Sequence, residues 1–133
     1  MNWFKRLFGG RTTRAATSSM GTLEAMALLT RLALEGKTMG LDLEVMAVAD
    51  TNSMLPTFDS NAVLLAETCP YASLKEGDIA IYRSGTMLIV HRLNAKESKG
   101  WRALGDGNGT QDSELVTPEN FYKRVAGIVY CRE

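Results

Sequence analysis

A serine, a single histidine and two aspartates stand in four short segments whose order points to chemistry at a carbonyl carbon. The segments are Thr51-Asn52-Ser53-Met54-Leu55-Pro56-Thr57, Gly77-Asp78-Ile79-Ala80-Ile81-Tyr82, Ile89-Val90-His91-Arg92, and Gly105-Asp106-Gly107-Asn108, with Asp112 just beyond. Nucleophilic hydrolysis at a serine needs a hydroxyl, a base to remove its proton, and a carboxylate to orient the base. Ser53 follows an apolar run and precedes Pro56, which fixes the backbone and stops a strand from continuing. Asn52 tolerates unusual backbone angles, so Ser53 is expected on a stiff, exposed corner. His91 lies among Ile89, Val90 and Leu93, and an unperturbed imidazole titrates close enough to neutrality to accept the serine proton. Each residue also has a plainer reading: a serine that shapes a turn, and a half-buried histidine bonded to a carbonyl.

The glycine-rich loop Gly105-Asp106-Gly107-Asn108-Gly109 has acids like a calcium loop, but lacks its regular run of oxygen ligands and closing glutamate. It is not a phosphate cradle either, since no lysine-serine pair follows it. A tight turn presenting Asp106, with Asp112 on the return, fits better. Either acid could hold His91 in one tautomer, and no metal or cofactor is called for.

The elements that must position these residues follow from periodicity and punctuation. From Thr22 to Leu34, Leu23, Met26, Ala27, Leu29, Leu32 and Ala33 keep helical spacing, and Gly36 supplies a stop. Short runs rich in β-branched residues come next. Leu43–Ala49, Ala62–Ala66, Ile79–Arg83, Met87–Leu93, Trp101–Leu104 and Val125–Cys131 read as strands. Ser84-Gly85 marks a tight hairpin, and Thr117-Pro118-Glu119-Asn120 reads as a helical turn before the last strand. The class is mainly β (α+β), with one helix at its start.

Composition bounds the rest. A chain of 133 residues, 45% hydrophobic with two tryptophans, can bury a core of its own. Fifteen basic residues balance fifteen acidic ones, which argues against a nucleic-acid partner. Cys69 and Cys131 match no metal or redox spacing; they could bridge in an oxidising compartment, but read better as two buried thiols. Residues 1–20 read as a basic, aromatic arm and polar linker, and 21–133 as the folded domain. Trp3, Phe4, Leu7 and Phe8 group at one-turn spacing, with Lys5 and Arg6 opposite and Gly9-Gly10 ending the run. Residues 1–10 thus suit a membrane surface, a protein partner, or packing on the domain itself. No apolar run reaches the roughly 20 residues of a membrane-spanning helix, and none follows the basic residues as a signal peptide requires.

Taken together, the four segments resemble the signal peptidase type I family. Ser53-Met54-Leu55-Pro56-Thr57 is similar to its serine box, Gly77-Asp78-Ile79 to the glycine-aspartate strand that follows, and Ile89-Val90-His91-Arg92 to the strand carrying the base. Gly105-Asp106 with Asp112 resembles its last box. Histidine at the base position places the resemblance in the Ser-His branch found among archaeal and endoplasmic-reticulum members. The likeness spans about residues 43–131 and implies an antiparallel β-fold with one N-terminal helix. It also implies that Ser53 is the nucleophile and His91 the base. Asp112 is the preferred orienting acid, with Asp106 structuring the loop or sharing the task. Thr51 and the Ser53 N–H would form the oxyanion hole, and Met54 and Pro56 would touch substrate. The implied substrate is an extended peptide or preprotein with small residues before the cut.

Thr51 and Asn52 depart from the family's usual serine and glycine, the large insertion between the second and third boxes is absent, and no transmembrane anchor precedes the serine box. Attachment through the arm or a soluble substrate is therefore expected. Two other readings stay open. One is a self-cleaving repressor-type peptidase, although those use lysine as base, and here the base position is histidine, with Lys96 and Lys99 in a polar loop. The other is a non-catalytic peptidase fold docked into a larger assembly such as a virion, for instance of a phage.

Overall fold

The computed structural model describes residues 14–49 and 52–133. The chain forms α1 (Thr22–Thr38), β1 (Leu43–Ala47), β2 (Ala62–Glu67), a 3-10 turn (Tyr71–Ser73), β3 (Ile79–Ser84), β4 (Met87–Glu97), β5 (Gly100–Leu104) and β6 (Phe121–Tyr130). All six strands join one antiparallel sheet in the order β1-β2-β6-β3-β4-β5. The fold is thus mostly β with one helix, the class its sequence pattern implies.

The helix runs past the stop expected at Gly36. That glycine is buried inside α1, where Leu43 Cδ1 stands 3.0 Å from the place a β-carbon would take, so it lets helix and β1 approach. The end comes at Gly40, whose φ of +82° suits glycine. Leu41 N–H donates to Gly36 O at 2.9 Å and Gly40 N–H to Lys37 O at 3.1 Å, which satisfies the last carbonyls.

Three apolar clusters hold the sheet. Ala25 and Leu29 of α1 pack on Val63, Leu65 and Cys131. Met54, Phe58, Ala62 and Leu64 form the second, with Ile79, Val90 and Val125 against it. Because β2 is covered on both faces, its residues read as an unbroken apolar run. Tyr82, Leu93, Trp101, Ala103 and Val116 form the third. Cys131 is buried, Cys69 is half-buried, and both are free thiols.

Three boundaries differ from expectation, each for a polar reason. β4 extends to Glu97 because Lys96 and Glu97 pair with Trp101 and Gly100 across a bulge between Leu93 and Ala95. β6 begins at Phe121, four residues early. Its Lys123 pairs with Glu44, and its Arg124 with Glu67 and Asp78, so charge is accommodated inside the sheet by neighbouring acids. The polar stretch 14–20 is no free linker. Ser18 Oγ–H donates to Tyr130 O, Arg132 N–H donates to Met20 O at 2.8 Å, and Arg14 pairs with Glu133. The basic, aromatic run at residues 1–10 lies outside the described residues. Among those described, no helix is long and apolar enough to cross a membrane.

The cluster beneath the serine turn should carry much of the stability. Leu64 is 1% exposed, so Leu64→Ala is expected to cost about 2–5 kcal/mol. Leu28 on the outer side of α1 is 54% exposed, and Leu28→Ala should stay within about 0.5 kcal/mol of the parent. Urea denaturation midpoints of the two variants measure the contrast.

Candidate active site

Ser53 opens a tight reversal that runs to Thr57. Thr57 and Phe58 N–H groups both donate to Met54 O, at 2.8 and 3.2 Å, and Leu55 N–H donates to Asn52 O at 3.3 Å. Met54 and Phe58 anchor this reversal in the core, at 3% and 1% exposure. Its apolar anchors and its hydrogen bonds make the turn stiff, so the Ser53 backbone has little freedom to drift.

The loop after β5 comes against this turn at backbone distance. Gly107 N–H donates to Ser53 O at 2.8 Å. A β-carbon on Gly105 would stand 2.5 Å from Ser53 O and 3.0 Å from His91 Nε2, and one on Gly107 would stand 2.6 Å from Asn52 O. Any side chain at either position would push the loop off the turn. The glycines therefore serve close approach, and Gly105 lies between the Ser53 carbonyl and the outer nitrogen of His91.

The same loop delivers its two acids to two adjacent residues of β4. Successive side chains of a strand point to opposite faces. His91, paired with Ala80 of β3, takes Asp112: Nδ1 and Oδ2 are 2.6 Å apart. A carboxylate only accepts, so the proton of neutral His91 sits on Nδ1 and Nε2 is left with its lone pair. Arg92 takes Asp106 in a two-pronged contact, Nε to Oδ1 at 2.8 Å and Nη2 to Oδ2 at 2.7 Å. Thr57 Oγ1 also donates to Asp106 Oδ2, at 2.5 Å. Asp106 thus ties β4 to the end of the serine turn. Its two oxygens are occupied by Arg92 and Thr57.

These partners set the electrostatics. Burial alone would push the Asp106 carboxyl up, but the hydrogen bonds from Arg92 and Thr57, with the charge of Arg92, hold it below the usual carboxylate range. The Tyr82 phenol is raised above its ordinary value, first by burial and then by its hydrogen bond and proximity to Asp112. Asp112 is further fixed through its backbone: its N–H donates to Ala103 O at 2.9 Å, and Arg102 Nη1 donates to its carbonyl at 2.9 Å.

Ser53 and His91 open into one apolar cleft of about 250 Å³, lined by Met46, Met54 and Phe58 together with residues 47–49 and 87–90. Strands β1 and β4 stand far apart in the sheet order yet both border it, so the sheet is coiled around this space. Of the two residues expected to touch substrate, Met54 lines the cleft. Pro56 does not: it lies exposed at the far part of the reversal, beyond the buried Met54. Thr51 lies outside the described residues. Lys96, a possible alternative base by residue type, stands over the rings of Tyr71 and Trp101, at 4.8 and 5.1 Å. Among the described residues, no group of three or more His, Cys, Asp or Glu gathers to hold a metal ion.

Sequence reasoning passed over Arg92, Thr57, Arg102 and Tyr82. For Arg92 a signal was present, because a charged residue beside a histidine in an apolar strand needs an acid on the opposite face. Tyr82, Thr57 and Arg102 depend on strand register and loop path, which leave no mark on local pattern. Compared with protein-family models, with curated proteins and with solved structures, the chain finds no match.

The Asp106 clamp generates a pH-dependence. Its folded-state pKa is depressed, so the clamp contributes fully above the unfolded value near pH ~4 and is lost as pH falls through the lower folded value. Asp106→Asn should cost about 1–3 kcal/mol at pH ~6, less than a fully buried pair because Arg92 remains 37% exposed. Urea midpoints measured between pH ~6 and ~2 should fall more steeply for the parent than for the variant. Parallel curves would remove the assignment.

Proposed function

We propose that this chain is a serine endopeptidase of the signal-peptidase kind, cutting extended peptides after small residues with a Ser53–His91–Asp112 site. The observation that supports it most is the His91 ring: Nδ1 is held by Asp112 at 2.6 Å, while Nε2 faces the junction of Gly105 and the Ser53 turn. A histidine kept only for packing needs one hydrogen bond and has no need of a second nitrogen close to a serine turn beside an apolar cleft.

The chemistry follows from that arrangement. His91 Nε2 takes the Ser53 hydroxyl proton as Oγ bonds to the scissile carbonyl carbon. Asp112 offsets the charge that develops on the imidazolium. The negative oxygen is assigned, by resemblance, to the Ser53 N–H and the Thr51 hydroxyl. When the C–N bond breaks, the leaving amine receives the proton from Nε2, and an acyl ester remains on Ser53. Water then attacks that ester with His91 as base, releasing the carboxylate product and restoring the serine.

Two open strand edges suit an extended substrate. β4 pairs with β5 only from Arg92 onward, so Met87–His91 has β3 on one side and no ladder partner on the other among the described residues. Among the described residues, β1 pairs only with β2. Both strands border the cleft, where a peptide can add its own backbone hydrogen bonds and place apolar side chains inside.

Incubation with a preprotein or an Ala-x-Ala peptide, read by mass spectrometry, tests the proposal. Cleavage is expected, with kcat reduced at least about 10³-fold in Ser53→Ala and in His91→Ala. Asp112→Asn should lose about 10²–10⁴-fold. Cleavage undiminished in Ser53→Ala would sink the assignment. Failure of Ser53 to react with a fluorophosphonate, together with stable incorporation into a larger particle, would favour the docking reading.

A further inference from the structure

We infer that Tyr82 is a positioning residue of this site, a fourth member that aims Asp112 at His91 and tempers the basicity of the imidazole. The inference rests on reading His91 as the base. Tyr82 is 2% exposed and is among the largest fully buried side chains. A phenol hydroxyl taken out of water costs free energy unless it is bonded, and phenylalanine would fill almost the same space without that demand. Here the hydroxyl donates to Asp112 Oδ2 at 2.5 Å, the same oxygen that faces His91 Nδ1 at 2.6 Å. A carboxylate oxygen that accepts from two donors at different positions has its orientation fixed by both.

The register makes this contact possible. Ala80 pairs with His91 and Tyr82 with Ile89, so Tyr82 and His91 are diagonal neighbours on one face of the β3–β4 ladder. On its other side β3 meets β6 with a shift of register between Ile81 and Tyr82, where Tyr82 pairs with Phe121. Asp112 comes over that face from the loop, with its backbone fixed by Ala103 and Arg102. The two side-chain donors then orient its carboxylate.

The consequence for the base has a definite sign. A donor on Oδ2 withdraws charge from the carboxylate and so weakens its stabilisation of the imidazolium. Tyr82 therefore takes up part of the carboxylate charge that Asp112 would otherwise direct at the imidazole alone. Removal of the hydroxyl is therefore expected to raise the titration midpoint of His91.

His91 is the only histidine in the chain, so nitrogen NMR of the imidazole follows it directly without any substrate. In the unaltered protein at high pH, the shifts should report the Nδ1–H tautomer; an Nε2–H tautomer would overturn the inference whatever any variant does. In Tyr82→Phe the midpoint should rise by roughly 0.5–1 in pH. In an Asp112→Asn background the same substitution should leave the midpoint where it is. An unchanged midpoint in folded Tyr82→Phe, or an equal rise in both backgrounds, would show that Tyr82 only fills space. With a cleavable peptide, kcat should fall roughly tenfold with KM little changed, and the acid limb of kcat/KM should move with the NMR midpoint. If Ser53 proves unreactive towards a fluorophosphonate, the peptidase reading fails, while the NMR outcomes still decide the role of Tyr82.

Discussion

The site depends on the alternation of two adjacent side chains on β4. His91 and Arg92 leave the strand on opposite faces, and each holds an aspartate from the same loop. That loop therefore straddles the strand. Asp106 on one side locks it to Thr57 at the end of the serine turn. Asp112 on the other side meets the imidazole and the Tyr82 phenol. A slip of one residue in the β3–β4 register would exchange the two faces, putting arginine where His91 now meets Asp112.

Close approach of backbone is the second condition, and it explains why the loop is so rich in glycine. Hydrogen bonds between side chains can tolerate small shifts, but Gly107 N–H reaches Ser53 O directly, and the room at Gly105 and Gly107 excludes even a methyl group. Burying two carboxylates beside this contact would be costly if either were left alone. Each is instead satisfied by more than one donor, so the polar network adds rigidity where the turn, the loop and β4 meet. Met54 and Phe58 supply the apolar half of the same rigidity by pinning the turn into the core.

How much of this is legible in the sequence depends on the range over which each feature is decided. Local punctuation carries the fold: helix spacing from Thr22, the β-branched runs, and the hairpin after Ser84 all have counterparts in the structure. Order and type single out Ser53, His91, Asp106 and Asp112, but they leave the roles of the two acids open. Arg92 pairs with Asp106, and that choice of partner depends on which face of β4 meets which part of the loop. Gly36 misleads as a helix stop because its lack of a side chain is used for packing on Leu43. The early start of β6 is hidden because Lys123 and Arg124 look like loop residues until Glu44, Glu67 and Asp78 stand beside them.

The topology links the site to its access route through one event, the departure of the chain from the sheet at Leu104. β5 ends there, so its pairing with β4 stops at Arg92 and the first half of β4 keeps an edge open among the described residues. The residues that leave the sheet at that point are Gly105, Asp106 and Gly107, which turn inward to the serine turn. A longer β5 would cover the Met87–His91 edge and carry the glycines away from Ser53. A shorter one would release Trp101 and Val116, whose mutual hydrogen bonds at 2.8 Å close the loop behind Asp112. The length of β5 therefore couples two needs of the proposed chemistry. It frees a strand edge for a peptide and brings the orienting acid to the base that lies at the end of that edge.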